Sequence, residues 1–168
     1  EAGLSRFYEA LQAGDEAIEG AEQAVAAEDG AKLDESFRAA MDDDFNSALA
    51  IAHLFEAVRT VNRLVATKKF RKKSELVATV VDLLQRVRTF GGVLGILQDD
   101  PSTWLNQQKV AGLVDLDVDV TEIEAAIEAR IKARQDKDYA RGDEIRDELD
   151  ARGILLLDTA KGTSWKLK

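Results

Sequence analysis

Apolar residues at helical spacing run through most of this chain of 168 residues. Near its start, Leu4, Phe7 and Leu11 recur at the spacing of one face of an α-helix. Similar stripes return in several later segments, and only one proline is present to interrupt a helix. Stripes of this kind become buried when helices pack against one another. The sequence therefore predicts a mainly α-helical protein.

Three further stripes predict an antiparallel helical bundle over residues 1–110. The first contains Leu33, Phe37, Ala40 and Met41. The next helix has an inward stripe made of Ile51, Leu54, Phe55, Val58, Val61 and Val65. The third helix has a broad apolar face, typical of the centre of a bundle, that includes Leu76, Val80, Leu83, Leu84, Val87 and Phe90. A short helix with Trp104 and Leu105 is expected to complete this domain.

Two polar segments of the predicted bundle allow two interpretations each. Residues 42–47, Asp-Asp-Asp-Phe-Asn-Ser, predict a helix start, because short polar side chains accept hydrogen bonds from the free N–H groups there. The alternative is a divalent cation site formed by the three aspartates. Residues 68–73 carry basic side chains around Phe70 and predict a solvated connector, or alternatively a contact with phosphates.

The end of the chain predicts a small α+β domain over residues 121–168. Residues 111–120 alternate acidic and apolar side chains without helical spacing and are interpreted as a linker. Thr121 begins the next helix with the Thr-x-x-Glu spacing of a capping box. The inward stripe of this helix is expected to consist of Ile123, Ile127 and Ile131.

A second helix and a hairpin complete this predicted domain. Asp138 is expected to cap the helix, and Gly153 is expected to end it in a left-handed conformation. Residues 154–157 and 163–167 predict two short strands, joined by a turn at residues 158–162. Two strands alone are marginal in water, so this C-terminal two-stranded hairpin must pack on the helices.

No residue pattern in the chain predicts catalysis. Without cysteine there is neither a disulfide nor a thiolate metal site. The only histidine, His53, lies off the apolar stripe of its helix and is expected to be exposed and without a role. No nucleophile has a convincing spacing from a base, and no glycine-rich loop follows a strand. We therefore expect no catalytic residue, no metal site and no cofactor in these residues.

Charge and hydropathy bear on location and partners. No apolar run approaches the roughly 20 residues that span a bilayer, and the first residues do not resemble a secretory signal. These features predict a soluble cytoplasmic protein, and the start at Glu1 inside a helical pattern suggests a piece of a larger one. The net charge of −9 argues against indiscriminate binding to polyanions, so any contact with nucleic acid must be local.

Basic residues recur along both helices of the predicted α+β domain, with Tyr139 among them. They are Arg130, Arg134, Lys137, Arg141 and Arg146. Arginine and lysine bind phosphates, and arginine and aromatic side chains stack on single-stranded bases. The alternative is an ordinary solvated helix pair, in which these cations pair with acidic residues one turn away. Spacing alone leaves both interpretations open.

Several colinear motifs carry a family resemblance. In the bundle they are Phe37-Arg-Ala-Ala-Met-Asp-Asp-Asp-Phe-Asn46, Val61-Asn-Arg-Leu64 and Phe90-Gly-Gly-Val-Leu-Gly-Ile-Leu97. In the tail they are Ile127-Glu-Ala-Arg-Ile-Lys-Ala-Arg-Gln-Asp-Lys-Asp-Tyr139, Gly142-Asp-Glu-Ile-Arg-Asp-Glu-Leu149, Gly153-Ile-Leu-Leu-Leu-Asp-Thr159 and Gly162-Thr-Ser-Trp165. Together they resemble the C-terminal half of the cysteinyl-tRNA synthetases, in family order and over nearly the whole chain.

The resemblance implies a bundle that braces the tRNA and a terminal domain that recognises its anticodon. The signatures and zinc ligands of the family's adenylating domain are absent from this sequence, so ATP and zinc are expected to bind outside it. By resemblance, these residues alone are inactive and belong to a cytoplasmic monomer. Their expected partners are the tRNA for cysteine and the catalytic domain of the same chain, without a membrane.

The family's anticodon-facing motif matches four positions of this sequence: Arg134, Tyr139, Asp143 and Asp158. By resemblance, the arginine and the two aspartates bind base edges, and Tyr139 stacks where the family often has tryptophan. Trp165 matches a family tryptophan that either stacks on RNA or packs the hairpin onto the helices. Lys137 and Arg146 either bind phosphates or pair with nearby acids.

Two other functions remain alternatives at this point. A helical protein-interaction module would dock partner helices and lack RNA affinity. A cysteine ligase for a small thiol precursor shares much of the synthetase fold, but a small acceptor needs no anticodon domain.

Overall fold

The fold is described from a computed structural model, which covers residues 2–20, 27–114, 118–159 and 162–168. The helices are α1 (Ala2–Ile18), α2 (Glu28–Asp42), α3 (Ser47–Val65), α4 (Ser74–Val93), α5 (Pro101–Val114), α6 (Val120–Gln135) and α7 (Tyr139–Ala151), with a 3-10 turn at Phe70–Lys72. The strands β1 (Ile154–Thr159) and β2 (Gly162–Leu167) form an antiparallel pair. The predicted fold class, a helical bundle followed by an α+β domain with a terminal hairpin, is confirmed.

The chain divides into two compact units, unit 1 (Glu1–Leu105) and unit 2 (Asn106–Lys168). This boundary lies before the expected end of the bundle at residue 110. The expected linker at residues 111–120 is wrong at its start, because α5 continues as a helix to Val114. Leu113 is buried in the core of unit 2, which gives this turn of helix an apolar contact that its irregular spacing did not indicate.

Unit 1 is built around the predicted stripes of α1 to α4. Phe7, Leu54, Val61, Leu83 and Val87 are almost completely buried in one core. Aromatic rings stack between helices at centroid distances of 4.2 Å for Phe7 on Phe55, 4.1 Å for Phe37 on Phe90 and 4.4 Å for Tyr8 on Trp104. Such pairs add to the free energy of burial and set the separation between helices.

The helix start after α2 differs from the expected one. The cap is made by Asn46, whose side chain accepts a hydrogen bond from the N–H of Leu49 at 3.1 Å. Asp42 belongs to the last turn of α2, and Asp44 has a positive φ of 49° in the connection, so these aspartates do not cap α3. Within the described ranges, no three His, Asp or Glu side chains converge as metal ligands.

A buried carboxylate fastens α2 to α4 in unit 1. Asp82 is 6% exposed, and its Oδ2 accepts a hydrogen bond from the N–H of Ala27 at 3.1 Å. Its Oδ1 accepts from Nε of Arg86 at 3.0 Å, and Arg86 also donates to Asp34 on α2. Gly30 lies directly against this network, because a Cβ built there would come within 1.8 Å of Asp82 Oδ2.

Unit 2 has its own apolar core. Ile123, Ile145, Leu149, Ile154 and Leu156 are buried in it. The cap at Asp138 is confirmed, since this side chain accepts from the N–H of Arg141 at 3.1 Å, and Gly153 ends α7 with a φ of 83°. The cap of α6 was predicted at Thr121, two residues too late. Asp119 caps α6, and Thr121 donates to its carboxylate at 2.7 Å.

None of the helices in the described ranges is both long and apolar enough to span a membrane.

The contact at Gly30 predicts a stability difference between two glycine variants. Gly30→Ala should lower the free energy of unfolding of unit 1 by about 1–3 kcal/mol, because the methyl group must displace the buried Asp82. Gly92→Ala, on α4 with its nearest neighbouring atom 3.8 Å away, should raise it by about 0.5 kcal/mol. Urea unfolding followed by Trp104 fluorescence in a Trp165→Phe background measures unit 1. Equal midpoints for the two variants would contradict the proposed role of the Asp82 network.

Candidate functional site

Arg130 lies at the centre of the candidate site in unit 2. Its side chain is only 2% exposed, whereas Ile131, which the expected stripe contained, is 41% exposed. The reason is helical geometry: each residue turns the helix by about 100°, so a spacing of four drifts off the buried face after two steps. A spacing of seven from Ile123 returns to within about 20° of it, and that position is Arg130. Of the two interpretations left open for the basic residues, an ordinary solvated helix face is wrong for Arg130.

Asp158 pairs with this buried guanidinium from β1. Its Oδ1 accepts from Nη1 of Arg130 at 2.9 Å and its Oδ2 accepts from Nη2 at 3.0 Å, so the contact is bidentate. Thr163, the cross-strand partner on β2, donates its hydroxyl to Oδ1 at 2.8 Å. Asp158 was expected in the turn, but it lies inside the strand, and strand pairing holds its side chain toward α6.

The electrostatics of this pair follow from the contacts. The hydrogen bonds from Arg130 and then from Thr163 lower the pKa of Asp158 well below its usual range, against the smaller effect of partial burial. The hydrogen bond from Asp158 raises the pKa of Arg130 although burial opposes it. Both groups therefore stay charged over the whole range of neutral and mildly acidic pH.

Two more of the predicted residues lie within electrostatic range of this pair. Asp143 on α7 contributes to the raised pKa of Arg130, and Arg134 on α6 contributes to the lowered pKa of Asp158. The stem of Arg134 runs over Gly142, where a Cβ would lie 3.3 Å from Arg134 Cγ. We call Arg130, Arg134, Asp143, Asp158 and Thr163 the Arg130 cluster. Arg134 and Asp143 are both exposed.

Three further predicted residues are exposed around α7. Tyr139, the first residue of this helix, is 58% exposed, and it shares one helix face with Asp143 and Arg146 because their positions are four and three residues apart. Lys137 lies in the α6–α7 connection with a φ of 62°. Within the described ranges, neither Lys137 nor Arg146 forms an ion pair. Arg141, in contrast, pairs with Glu144 at 2.6 Å and lies near Glu148.

Trp165 is half-buried and packs against the core of unit 2. Nζ of Lys109 lies 5.5 Å from its ring centroid, a cation–π geometry. Trp165 also lines a shallow groove with Glu124, Ile127 and Glu128. The structure thus gives Trp165 a packing role, and its stacking on RNA stays a prediction.

Two other features singled out in the sequence lie in unit 1. Phe70 is buried and anchors the basic connection, whose Arg71 donates to the carbonyl of Glu16 at 2.5 Å. A contact of these basic residues with phosphates stays a prediction.

His53 was expected to be exposed, but its side chain is only 25% exposed and lies in a groove with Lys32, Ser36 and Glu56.

Comparisons with known proteins match two segments of the chain to domain families. The DALR domain matches residues 36–98, and the Cysteinyl-tRNA ligase anticodon binding domain matches residues 120–165. A cysteine–tRNA ligase from Syntrophotalea carbinolica is 51% identical over 99% of this chain and 35% of its own length. The ligases of Trichlorobacter lovleyi and Geobacter sulfurreducens are 44% and 42% identical, over 100% and 99% of this chain and 36% and 35% of their own lengths. The chain is thus similar over its whole length to the C-terminal part of cysteine–tRNA ligases.

The chain spans about a third of the length of these curated ligases and matches their C-terminal part. Every predicted site residue lies inside the segment that matches the anticodon binding domain of the ligase family. The sequence analysis did not place Thr163 in the site, and it did not predict that Arg130 is buried at the centre of the cluster. The available signal was its spacing of seven from Ile123, but arginine in a charged helix is ordinarily exposed.

The Arg130–Asp158 pair predicts how the stability of unit 2 depends on pH. Because the pKa of Asp158 is lower in the folded state, its contribution is present above the unfolded pKa of about 4 and is lost as the pH falls toward the folded pKa. In Asp158→Asn, the free energy of unfolding of unit 2 should therefore fall less steeply as the pH is lowered below about 4. At neutral pH this substitution should also lower the free energy of unfolding by about 1–3 kcal/mol, because Arg130 stays buried without its partner.

Unfolding followed by Trp165 fluorescence in a Trp104→Phe background, between pH 3 and 7, measures this effect in unit 2. Asp147→Asn is the control, since Asp147 is an exposed aspartate of unit 2, on α7, and has no hydrogen-bond partner in the described ranges. A profile for Asp158→Asn that parallels the original one would argue against the pair as the source of the acid sensitivity.

Proposed function

We propose that this chain is the tRNA-binding part of a cysteine–tRNA ligase, in which unit 2 recognises the anticodon of the tRNA for cysteine. The observation that carries this proposal is that Arg134 and Asp143 lie within electrostatic range of the hydrogen-bonded pair of Asp158 and the buried Arg130. All four belong to the segment that matches the anticodon binding domain. An anticodon is a single-stranded loop, whose unstacked bases offer their hydrogen-bonding edges to side chains.

Each side chain of this surface has a distinct proposed role. Arg134 has no ion-pair partner in the described ranges, so its guanidinium donors are free for a base edge that offers acceptors. Asp143 and Asp158 are ionised acceptors for base amino groups. Tyr139 presents an exposed ring on which a splayed base stacks. Lys137 and Arg146 supply positive charge for backbone phosphates.

The activity of the whole enzyme is part of the proposal. A full-length ligase of this family would attach cysteine to its tRNA with ATP, in the cytoplasm and as a monomer. In this proposal ATP and zinc bind to the catalytic domain, and the 168 residues alone do not catalyse the reaction. No observation favours the alternative of a protein-interaction module without RNA affinity.

Anticodon recognition predicts a sequence-dependent affinity. The chain should bind a tRNA transcript with the cysteine anticodon GCA at least about tenfold more tightly than a transcript with a substituted anticodon, since each base contact contributes about 1–3 kcal/mol. Arg134→Ala and Asp143→Asn should each reduce this ratio about tenfold or more. Fluorescence anisotropy titration at fixed salt measures both affinities.

Matched controls separate recognition from general charge effects. Lys132→Ala removes the same charge from the exposed side of α6, and Asp147→Asn removes a carboxylate from the exposed side of α7. Both should leave the anticodon ratio unchanged. Equal affinity of the unmodified chain for the two transcripts would refute anticodon recognition.

A further inference from the structure

The hydrogen bonds of Asp158 leave its carboxylate with one open acceptor position. A carboxylate has about four such positions, two on each oxygen. Oδ1 uses both, for Arg130 Nη1 at 2.9 Å and Thr163 Oγ1 at 2.8 Å. Oδ2 uses one, for Arg130 Nη2 at 3.0 Å. The remaining position lies on Oδ2, and the side chain of Asp158 is 56% exposed, so an incoming donor can reach it.

The direction of this open position is held by Arg130 and Thr163. The planar guanidinium covers the edge between the two carboxylate oxygens, and the threonine hydroxyl approaches Oδ1 from β2. Arg130 cannot swing away without exposing the core, because it is 2% exposed. Its Nε makes no hydrogen bond, so the orientation of the guanidinium depends on Nη1 and Nη2, which both donate to Asp158.

We propose that Arg130 and Thr163 restrict Asp158 to accepting from a single amino group, so that unit 2 selects cytosine or adenine at the anticodon position that faces Asp158. This inference rests on the proposed anticodon binding and adds the base class and two positioning residues. Arg130 and Thr163 act through Asp158 and do not touch the RNA themselves.

The four bases differ in the donors that they can offer to this one position. Cytosine and adenine each present an exocyclic amino group beside an unprotonated ring nitrogen, so one hydrogen bond to Oδ2 satisfies the contact. Guanine presents two adjacent N–H donors, which pair best with both oxygens of a carboxylate across the edge that Arg130 occupies. One guanine donor is then left without a partner, which costs free energy in a closed contact. Uracil has one imino donor between two carbonyl oxygens, and these oxygens repel the charged carboxylate.

A base scan of the anticodon tests this selection. The probes are anticodon stem-loop RNAs with each of the four bases at each anticodon position, competed against a labelled tRNA transcript for the 168-residue chain. Asp158→Asn identifies the position that faces Asp158, as the one whose base preference it changes. At that position, the unmodified chain should prefer cytosine or adenine over guanine and uracil by about tenfold.

Two variants test the positioning residues through base discrimination, which is the ratio of affinities for stem-loops that differ in one anticodon base. A merely structural role would not change this ratio. Thr163→Val removes the hydroxyl donor at nearly constant volume and should lower discrimination at the Asp158 position about threefold, without changing the other two positions. Ser164→Ala is the matched control, because it removes a hydroxyl from the neighbouring residue, which donates to the carbonyl of Leu157 instead. Arg130→Lys replaces the bidentate contact by a single donor. It should raise the affinity for stem-loops with guanine at the Asp158 position relative to those with the other bases. Circular dichroism shows whether this variant folds, and Thr163→Val tests the inference if it does not.

The outcomes separate this inference from the proposed function. A preference for guanine or uracil at the Asp158 position would overturn it, and so would an equal loss of affinity for all stem-loops in Asp158→Asn. In either case, anticodon dependence that still responds to Arg134→Ala would leave the proposed function intact. If the unmodified chain binds all anticodons equally, both the proposed function and this inference fail.

Discussion

The buried ion pair between Arg130 and Asp158 constrains unit 2 more than any other interaction. Removing a guanidinium from water costs several kcal/mol unless a charged partner replaces its hydration. Because Arg130 is on α6 and Asp158 on β1, this requirement holds the hairpin against the helix in one register. Asp143 lies within electrostatic range of Arg130, and Arg134 lies within electrostatic range of Asp158. Stability and site geometry therefore depend on one pair of side chains, so the carboxylate is already oriented before any ligand arrives.

The helices and the fold class could be predicted because their signals are local. An apolar stripe such as Phe7 and Leu11 depends only on residues within a few turns, and those side chains are buried as expected. Arg130 could not be predicted as buried, because its partner lies 28 residues later and burial of arginine has no local signal. The helical turn that ends at Val114 was missed for a similar reason, since Leu113 is stabilised by the core of unit 2 and not by neighbours in α5.

The residues of the candidate site could be predicted only from the family resemblance. Composition and spacing left Arg134, Asp143 and Asp158 as ordinary charged residues, and the family resemblance alone singled them out. The structure adds the physical connection between them: Asp158 is hydrogen-bonded to Arg130, and Asp143 and Arg134 interact electrostatically with this pair. It also separates residues that looked alike in the sequence. Arg141 is paired with Glu144, and Arg130 is buried, whereas Arg134 keeps its donors free of ion pairs in the described ranges.

The charge balance of this surface favours specificity over affinity. Two arginines and two aspartates of the Arg130 cluster cancel in charge, and the chain as a whole carries −9, so RNA gains little from attraction at a distance. Binding strength must then come from short-range hydrogen bonds and stacking, which form only with matching bases. A non-matching RNA loses these contacts and has no strong phosphate attraction to replace them. The negative charge of the chain lowers the affinity for every RNA by about the same factor, so the ratio by which a ligase would select its tRNA depends on the short-range contacts with the anticodon bases.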